Sequence, residues 1–326
     1  MNAPRTRVQR RPVHGVLLLD KPLGLSSNAA LQRAKWLLRA EKAGHTGTLD
    51  PLATGVLPLC FGAATKFSQL QLEADKTYEA TIRLGVKTST ADAEGEVIET
   101  RDIPHITSEH LAVVAAKFTG PIRQVPPMHS ALKKDGKALY EYARAGEEVE
   151  REARDVVIYE CTLRFADDSA SSLLLRAKVS KGTYIRTLGE EIGEALGCGG
   201  HLTSLRRTAT GNFDVTQCLT LEAFEALGEE QRFAALRPVN ALLPDHTPVT
   251  LDADNAGRFL SGLRRRGDWQ DNEHVAVYGE PPSQPSPTGG RSKSPLLGTA
   301  HIKGGELIPG RLLSPPEVAQ ILESIT

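Results

Sequence analysis

A chain of 326 residues has room for about two domains at roughly 150 residues each. Its 40% hydrophobic content and 29 glycines are those of an ordinary globular protein that buries its core without staples. With 39 Lys and Arg against 40 Asp and Glu the formal net charge is -1, which excludes a uniformly basic nucleic-acid binder and leaves only local basic clusters. Cys60, Cys161, Cys198 and Cys218 form no CxxC pair and no zinc spacing, so reduced thiols, a cytoplasmic location and no metal are expected. No signal peptide or membrane span is expected: the longest weakly polar run, 53–65, is broken by Gly55, Pro58 and Gly62.

In chain order, residues 1–12 carry Arg5, Arg7, Arg10 and Arg11 without an acid and read as a basic flexible tail. Residues 15–20 form a short apolar run, a buried strand. Ser26 and Ser27 offer N-caps for a helix over about 28–40, with Leu31, Ala34 and Leu38 on one face. A loop dense in Gly and Thr follows at 44–55. Residues 76–85 alternate as a strand with Tyr78, Ala80, Ile82 and Leu84 on one side. Ser108 is expected to cap a helix carrying Leu111, Val114, Ala115 and Phe118. Residues 123–154 lack an apolar face and read as a long excursion with one short helix near 138–144.

Two strands, 155–166 with Val157, Tyr159, Cys161, Leu163 and Phe165 inward, and 171–180, are expected to pair as an antiparallel hairpin. Residues 184–196 read as a helix ended by Gly197, and 201–210 as a strand. Interspersed helices and antiparallel strands favour an α+β (mixed α/β) fold over a doubly wound parallel sheet. After Pro244, short strands near 249–251, 274–278 and 296–302 suit a small β-rich domain, interrupted by a Pro/Ser/Gly loop at 279–295 that is expected to be flexible.

The chemistry concentrates in Gly44-His45-Thr46-Gly47-Thr48-Leu49-Asp50-Pro51-Leu52-Ala53-Thr54-Gly55. An Asp before Pro alone commonly opens a turn. Here three glycines, three threonines, a His and an Asp lie within twelve residues, a loop that brings backbone close to a ligand and aims one carboxylate. Such a carboxylate acts as nucleophile, general base or metal ligand, and no second acid nearby completes a metal cluster or a glycosidase pair.

Around this loop stand Leu19-Asp20-Lys21-Pro22, Ser26-Ser27-Asn28, Lys76-Thr77-Tyr78-Glu79-Ala80, Val125-Pro126-Pro127-Met128, Ser130-Ala131-Leu132-Lys133, Ser180-Lys181-Gly182-Thr183-Tyr184-Ile185-Arg186, His201-Leu202 and Leu205-Arg206-Arg207. In this order they resemble the TruB family of bacterial tRNA pseudouridine synthases over about residues 15–244. The resemblance implies a mainly antiparallel central sheet flanked by helices in a catalytic domain over 13–245. The stretch 123–154 would be a thumb-like insertion, and 246–326 a PUA-like RNA-binding domain. It implies isomerisation of the T-loop uridine at position 55, with the tRNA T-arm as partner and no cofactor. The enzyme would be a monomer without protein partner or membrane.

The resemblance assigns the nucleophile to Asp50, leaving open whether it attacks ribose C1′ or uracil C6. A base buried in the folded loop must first flip out, at a cost of a few kcal/mol. Tyr78 would stack on the flipped uracil, and Tyr184 would pack beside it and assist removal of the C5 proton. Arg186 would hold Asp50 ionised and oriented. His45 would contact the substrate nucleotide, Leu205 would pack on the uridine, and Lys21, Lys133, Lys134 and Arg206 would contact RNA. Without the resemblance, Tyr78 is an inward strand residue, Arg186 a solvated charge, His45 a turn partner and Leu205 a core residue. His129 stands where an aromatic residue is expected, and the loop 279–295 has no counterpart. Two other readings are a tRNA-folding chaperone without catalysis and the catalytic subunit of a guide-RNA particle.

Overall fold

The computed structural model describes residues 9–166, 170–279 and 294–323. The chain runs through β1 (Gly15–Lys21), α1 (Ser27–Leu37), β2 (Ala43–His45), β3 (Ala53–Phe61), α2 (Ser68–Glu73), β4 (Lys76–Leu84), β5 (Val86–Thr88), β6 (Val97–Thr100), α3 (Ser108–Phe118) and β7 (Gly120–Gln124). It continues through β8 (Lys133–Lys134), β9 (Lys137–Ala138), α4 (Leu139–Arg144), β10 (Arg154–Phe165), β11 (Ser172–Val179), α5 (Ile185–Ala195), β12 (Gly200–Thr210), β13 (Phe213–Asp214) and β14 (Leu219–Thr220). The last stretch holds α6 (Leu221–Ala226), α7 (Glu229–Ala234), β15 (Thr247–Thr250), α8 (Ala253–Leu260), β16 (Arg265–Arg266), β17 (Asn272–Tyr278), β18 (Leu296–Lys303), β19 (Glu306–Leu312) and α9 (Pro315–Glu323).

One large sheet has the order β14-β1-β3-β12-β4-β11-β10-β7, and β2 and β13 pair on its flanks. Only the β1/β14 and β3/β12 contacts are parallel, so the sheet is mainly antiparallel, as the family resemblance implied and in keeping with the α+β class read from the pattern. Period-two alternation gives it two faces. Helices cover one face: α1 with Ala30, Leu31 and Ala34, α3 with Leu111, Val114 and Phe118, and α5 with Ile185, Leu188 and Ile192 pack on Leu17, Leu57, Ile82, Leu175 and Leu202. The other face is divided. Val16, Leu18, Val56 and Cys60 pack with Val249, Val275, Val277 and Leu297 of a second, five-stranded sheet ordered β15-β17-β18-β19-β16. Helix α9 fastens the two cores, with Glu317 paired to Lys66 at 2.6 Å and Gln320 bonded to the His14 ring at 2.9 Å.

Several elements differ from expectation for identifiable reasons. Strand β3 lies where the loop and a weakly polar run were read. It is buried along nearly its whole length between β1 on one side and β12 and β2 on the other, so its pattern is a continuous apolar run without alternation. Pro58 falls between the residues paired with β12 (53–55) and those paired with β2 (59–61), where a missing N–H is tolerated. Strand β10 carries a bulge between Ile158 and Glu160. The bulge shifts the inward phase by one residue, so Val156 and Ile158 are buried and Tyr159 is exposed, contrary to the uninterrupted alternation expected. Helix α3 is capped by Thr107, whose hydroxyl accepts from the His110 amide, and Ser108 is its first residue. Residues 1–8 of the expected tail and 280–293 of the expected loop lie outside the described residues. Arg11 is fixed, paired with Glu229 at 2.8 Å and 4.2 Å above the Phe233 ring.

The parallel β3/β12 contact depends on Gly55, which faces Arg207 with φ 102°. A Cβ there would lie 2.1 Å from the Arg207 carbonyl oxygen, a rigid backbone atom. Gly55→Ala is therefore expected to lower the unfolding free energy by roughly 2–4 kcal/mol. The check is a lower urea midpoint at unchanged m-value, and an unshifted midpoint contradicts the reading.

Candidate active site

The loop between β2 and β3 is held from both sides by contacts to α1 and to the sheet. Ser26 caps α1, accepting from the Ala29 amide at 3.1 Å. The next residue, Ser27, is buried, and its hydroxyl accepts from Leu49 N at 2.7 Å and donates to Leu49 O at 3.0 Å. Pro51 O accepts from Gly24 N, and Asp50 O from Ala53 N. From the sheet side Arg207, itself fully buried, donates through Nε to Val56 O (2.8 Å) and through Nη2 to Gly47 O (3.0 Å). With its backbone clamped at these points, the loop projects the Asp50 carboxylate into a cavity of about 390 Å³.

Tyr78, Tyr184, Arg186, Leu205, Lys76 and Ser130 line the same cavity. Tyr78 comes from β4, on the inward side the alternation predicted. Tyr184 precedes α5 in an extended conformation (φ -100°, ψ 110°), so it and Arg186 in the first turn reach one cavity. The buried Gln124 at the end of β7 clamps the Tyr184 backbone, accepting from its N–H at 3.0 Å and donating to its C=O at 3.3 Å.

Arg186 is the organising cation. Its side chain is 6% exposed, and Nη2 contacts Asp50 Oδ2 at 3.0 Å while Nη1 contacts Asp92 Oδ2 at 3.5 Å. The same two nitrogens donate to His129 O (2.6 Å) and Thr90 O (3.2 Å). Asp92 is buried in the turn between β5 and β6, where its Oδ1 accepts from Thr90 Oγ1 and from Glu94 N at 3.0 Å. Ala91 beside it holds a left-handed φ of 58°, and its carbonyl accepts from Leu202 N of β12. Sequence reasoning missed Asp92. Its local signal, Thr88 to Gly95 with two Thr, a Ser and a Gly around the acid, is that of an ordinary turn.

Two carboxylates share one guanidinium, which sets the electrostatics. Burial pushes the Asp50 carboxyl above its usual 3.8, the Asp92 charge adds to this, and Arg186 and Lys21 oppose it. Burial lowers Lys21 to about 8 despite the nearby Asp50 and Glu94. Burial also raises the Tyr184 phenol and lowers His45, whose imidazole additionally feels the Arg207 charge. His45 lies on β2, paired with Leu59, and its buried Nδ1 has no hydrogen-bond partner among the described residues.

The residues expected to contact RNA separate. Lys133 and Lys134 are exposed on the β8–β9 hairpin of the insertion, next to the Ser130, Ala131 and Leu132 that line the cavity. Lys21 is fully buried, with its ammonium donating to Pro22 O (2.9 Å) and Leu25 O (2.5 Å), so it braces the turn after β1 and cannot reach a phosphate. Arg206 points to the opposite face of the sheet, where it holds Asp20 in a bidentate pair at 3.1 and 2.6 Å beside a separate hollow of about 530 Å³. Strand alternation sends Leu205 and Arg207 toward the site and Arg206 away. Among the described residues no three His, Cys, Asp or Glu side chains converge to hold a metal ion.

Residues 35–185 match the N-terminal domain of TruB family pseudouridylate synthases, and residues 186–244 match the C-terminal domain of tRNA pseudouridylate synthase B. The chain is 61% identical over 327 residues to tRNA pseudouridine synthase B of Verminephrobacter eiseniae, covering 99% of this chain and 95% of that protein. It is 58% identical to the protein of the same name from Ralstonia nicotianae, covering 93% of this chain and 95% of that protein. Among solved structures, a chain of a Cbf5-Nop10-Gar1 complex superposes with a TM-score of 0.66 at 25% identity, covering 94% of this chain and 86% of that chain.

Asp50 and Asp92 are expected to affect stability in opposite directions. A raised carboxyl pKa means that the native state binds its proton more tightly than the unfolded chain, so keeping Asp50 ionised costs stability once pH rises above 3.8. Asp50→Asn removes that cost and leaves Arg186 its Asp92 partner, so the thermal midpoint at pH 7 is expected to hold or rise. Asp92→Asn takes a buried charge from Arg186 and is expected to cost roughly 3 kcal/mol. Calorimetry on the two variants checks the pair, and a larger loss for Asp50→Asn contradicts this account.

Proposed function

Since the chain belongs to the TruB family of pseudouridylate synthases, we propose that it isomerises the T-loop uridine at position 55 of tRNA to pseudouridine, with Asp50 as the nucleophile. The observation that carries this reading is the Asp50 carboxylate, held by Arg186 and facing a cavity walled by Tyr78 and Tyr184. The N1–C1′ bond breaks, a C5–C1′ bond forms, C5 loses a proton and N1 gains one. The product is an isomer of the substrate, so atoms balance without a cofactor. Asp50 adds either to ribose C1′, giving an ester, or to uracil C6, and both routes need the same ionised, oriented carboxylate.

The Tyr78 ring offers the flipped uracil a replacement for its lost stack, and the apolar Leu205 closes the floor beneath it. Burial keeps the Tyr184 phenol protonated at neutral pH, which favours packing and hydrogen bonding over accepting the C5 proton. On the C1′ route, C5 attacks C1′ and breaks the ester bond, and the Asp50 carboxylate freed from C1′ is then the acceptor for the C5 proton within the cavity. Lys133 and Lys134 bring positive charge to the insertion, which contributes to the cavity wall and through the His129 carbonyl to the Arg186 network. A single chain carries out this reaction, in the cytoplasm and without a protein partner.

The test is tritium release from an unmodified tRNA transcript carrying 5-tritiated uridine. Asp50→Asn is expected to lower turnover at least roughly 10³-fold while tRNA binding stays within a few-fold. Turnover near the wild-type rate by this variant overturns the assignment. Tyr78→Phe keeps the ring and is expected to retain far more activity than Tyr78→Ala; equal losses exclude a stacking role.

The acid limb of kcat/KM is expected above 3.8, because Asp50 must lose its proton to attack and burial makes that harder. Removing the like charge in Asp92→Asn is expected to move the limb to lower pH even as the rate falls. A limb that stays put or moves upward contradicts the coupling.

A further inference from the structure

Helix α1, which delivers Ser27 to the site, ends in a surface feature that the chemistry does not use. Its inner side buries Ala30, Leu31 and Ala34, while Gln32, Arg33 and Trp36 face outward. Trp36 is 62% exposed, whereas the other tryptophan, Trp269, packs against the core. Residues three apart are neighbours on a helix, so Arg33 lies one turn before the indole. Arg39 follows one turn after, its amide donating to Trp36 O at 3.0 Å. It holds a left-handed φ of 52° just beyond the helix end, where glycine is the usual residue.

Charge gathers around the indole. Residues 9–12 run along the end of α1, with Arg10 Nη1 donating to Ala40 O at 2.9 Å and Arg11 N donating to Arg39 O. Arg10, Arg11, Arg33, Lys35, Arg39 and Lys42 make six cations. The acids among and against them are Glu41, Glu225, which pairs with Arg33, and Glu229, which Arg11 and Arg39 share. Arg11, Arg33 and Arg39 are held by these acids, and Glu222 and Glu230 also stand exposed on α6 and α7, so the positive charge left without a carboxylate partner among the described residues is that of Arg10, Lys35 and Lys42. A protein-docking face would surround the indole with apolar area, but its helical neighbours Gln32 and Arg33 are exposed and polar. An indole set among cations is suited to nucleic acid instead, the ring stacking on a base while the cations neutralise phosphates.

We propose that the outer face of α1, centred on Trp36, is a second contact surface for the RNA substrate, where an unpaired base stacks on the indole and phosphates are met by Arg10 and Lys35, the neighbouring cations that no carboxylate holds among the described residues. The inference rests on tRNA being the substrate. Trp36 is nine residues from Ser27, about 14 Å along the helix from the rim of the site, a span that a tRNA seated over Asp50 exceeds.

The Trp269→Phe enzyme leaves Trp36 as the sole indole, so its emission reports this surface directly. Titration with a full-length unmodified tRNA transcript is expected to quench it saturably. Trp36→Ala is expected to weaken tRNA binding roughly tenfold and raise KM with kcat unchanged, while Trp36→Phe keeps most of the affinity. Unquenched emission together with a wild-type KM for Trp36→Ala overturns the proposal, and if the parent enzyme still isomerises the tRNA the functional reading stands. Failure of the parent enzyme to isomerise any tRNA removes that reading, while the quenching titration still decides the RNA contact. Loss of a dimer on Trp36→Ala, seen by sedimentation without quenching, assigns the face to a second copy of the chain and also overturns the proposal.

Discussion

A guanidinium buried to 6% exposure is tolerable only if its charge is answered on every side, and Arg186 is answered by groups from separate parts of the chain. Asp50 comes from the loop between β2 and β3, Asp92 and the Thr90 carbonyl from the turn after β5, and the His129 carbonyl from the root of the insertion. Each of these groups holds its own segment against the one guanidinium of α5, so the segments are ordered together. The first turn of α5 thereby sets where the carboxylate, the supporting turn and the insertion stand relative to the sheet.

The same pair holds two opposed demands. A carboxylate proposed as a nucleophile must be ionised, yet its partial burial in the cavity raises its pKa. Arg186 and Lys21 offset part of that cost, and Asp92 gives part of it back by adding a second negative charge to the same cation. Asp92 is better understood through orientation: it fixes the second arm of the guanidinium so that the first is aimed at Asp50. Lys21 and Arg207 act in the same spirit, as buried cations bonded to backbone carbonyls that shape the turn after β1 and the Asp50 loop.

His129 joins this network through its main chain, so the side chain that departs from the expected aromatic residue does not enter the Arg186 contact. The insertion, expected as thumb-like, is thus tied at its root to the Asp50–Arg186 pair.

The features legible in the sequence were those encoded within a few residues. Strand β4, with Tyr78 inward, and helix α1, with its serine cap, follow from period and capping chemistry. The dense loop around Asp50 and the Tyr184–Arg186 motif were legible as residues, and family resemblance joined them. What only the tertiary structure decided was everything that depends on a partner far along the chain. Strand β3 is buried on both sides, so no alternation marked it; the bulge in β10 reversed a phase that looked continuous. Asp92 looks like a turn acid until β12 and α5 close over it, and Lys21 looks like a surface cation until β3 and the Asp50 loop enclose it. Burial is a property of the assembled sheet, and burial is what turns an ordinary carboxylate, lysine or arginine into a member of a charge network.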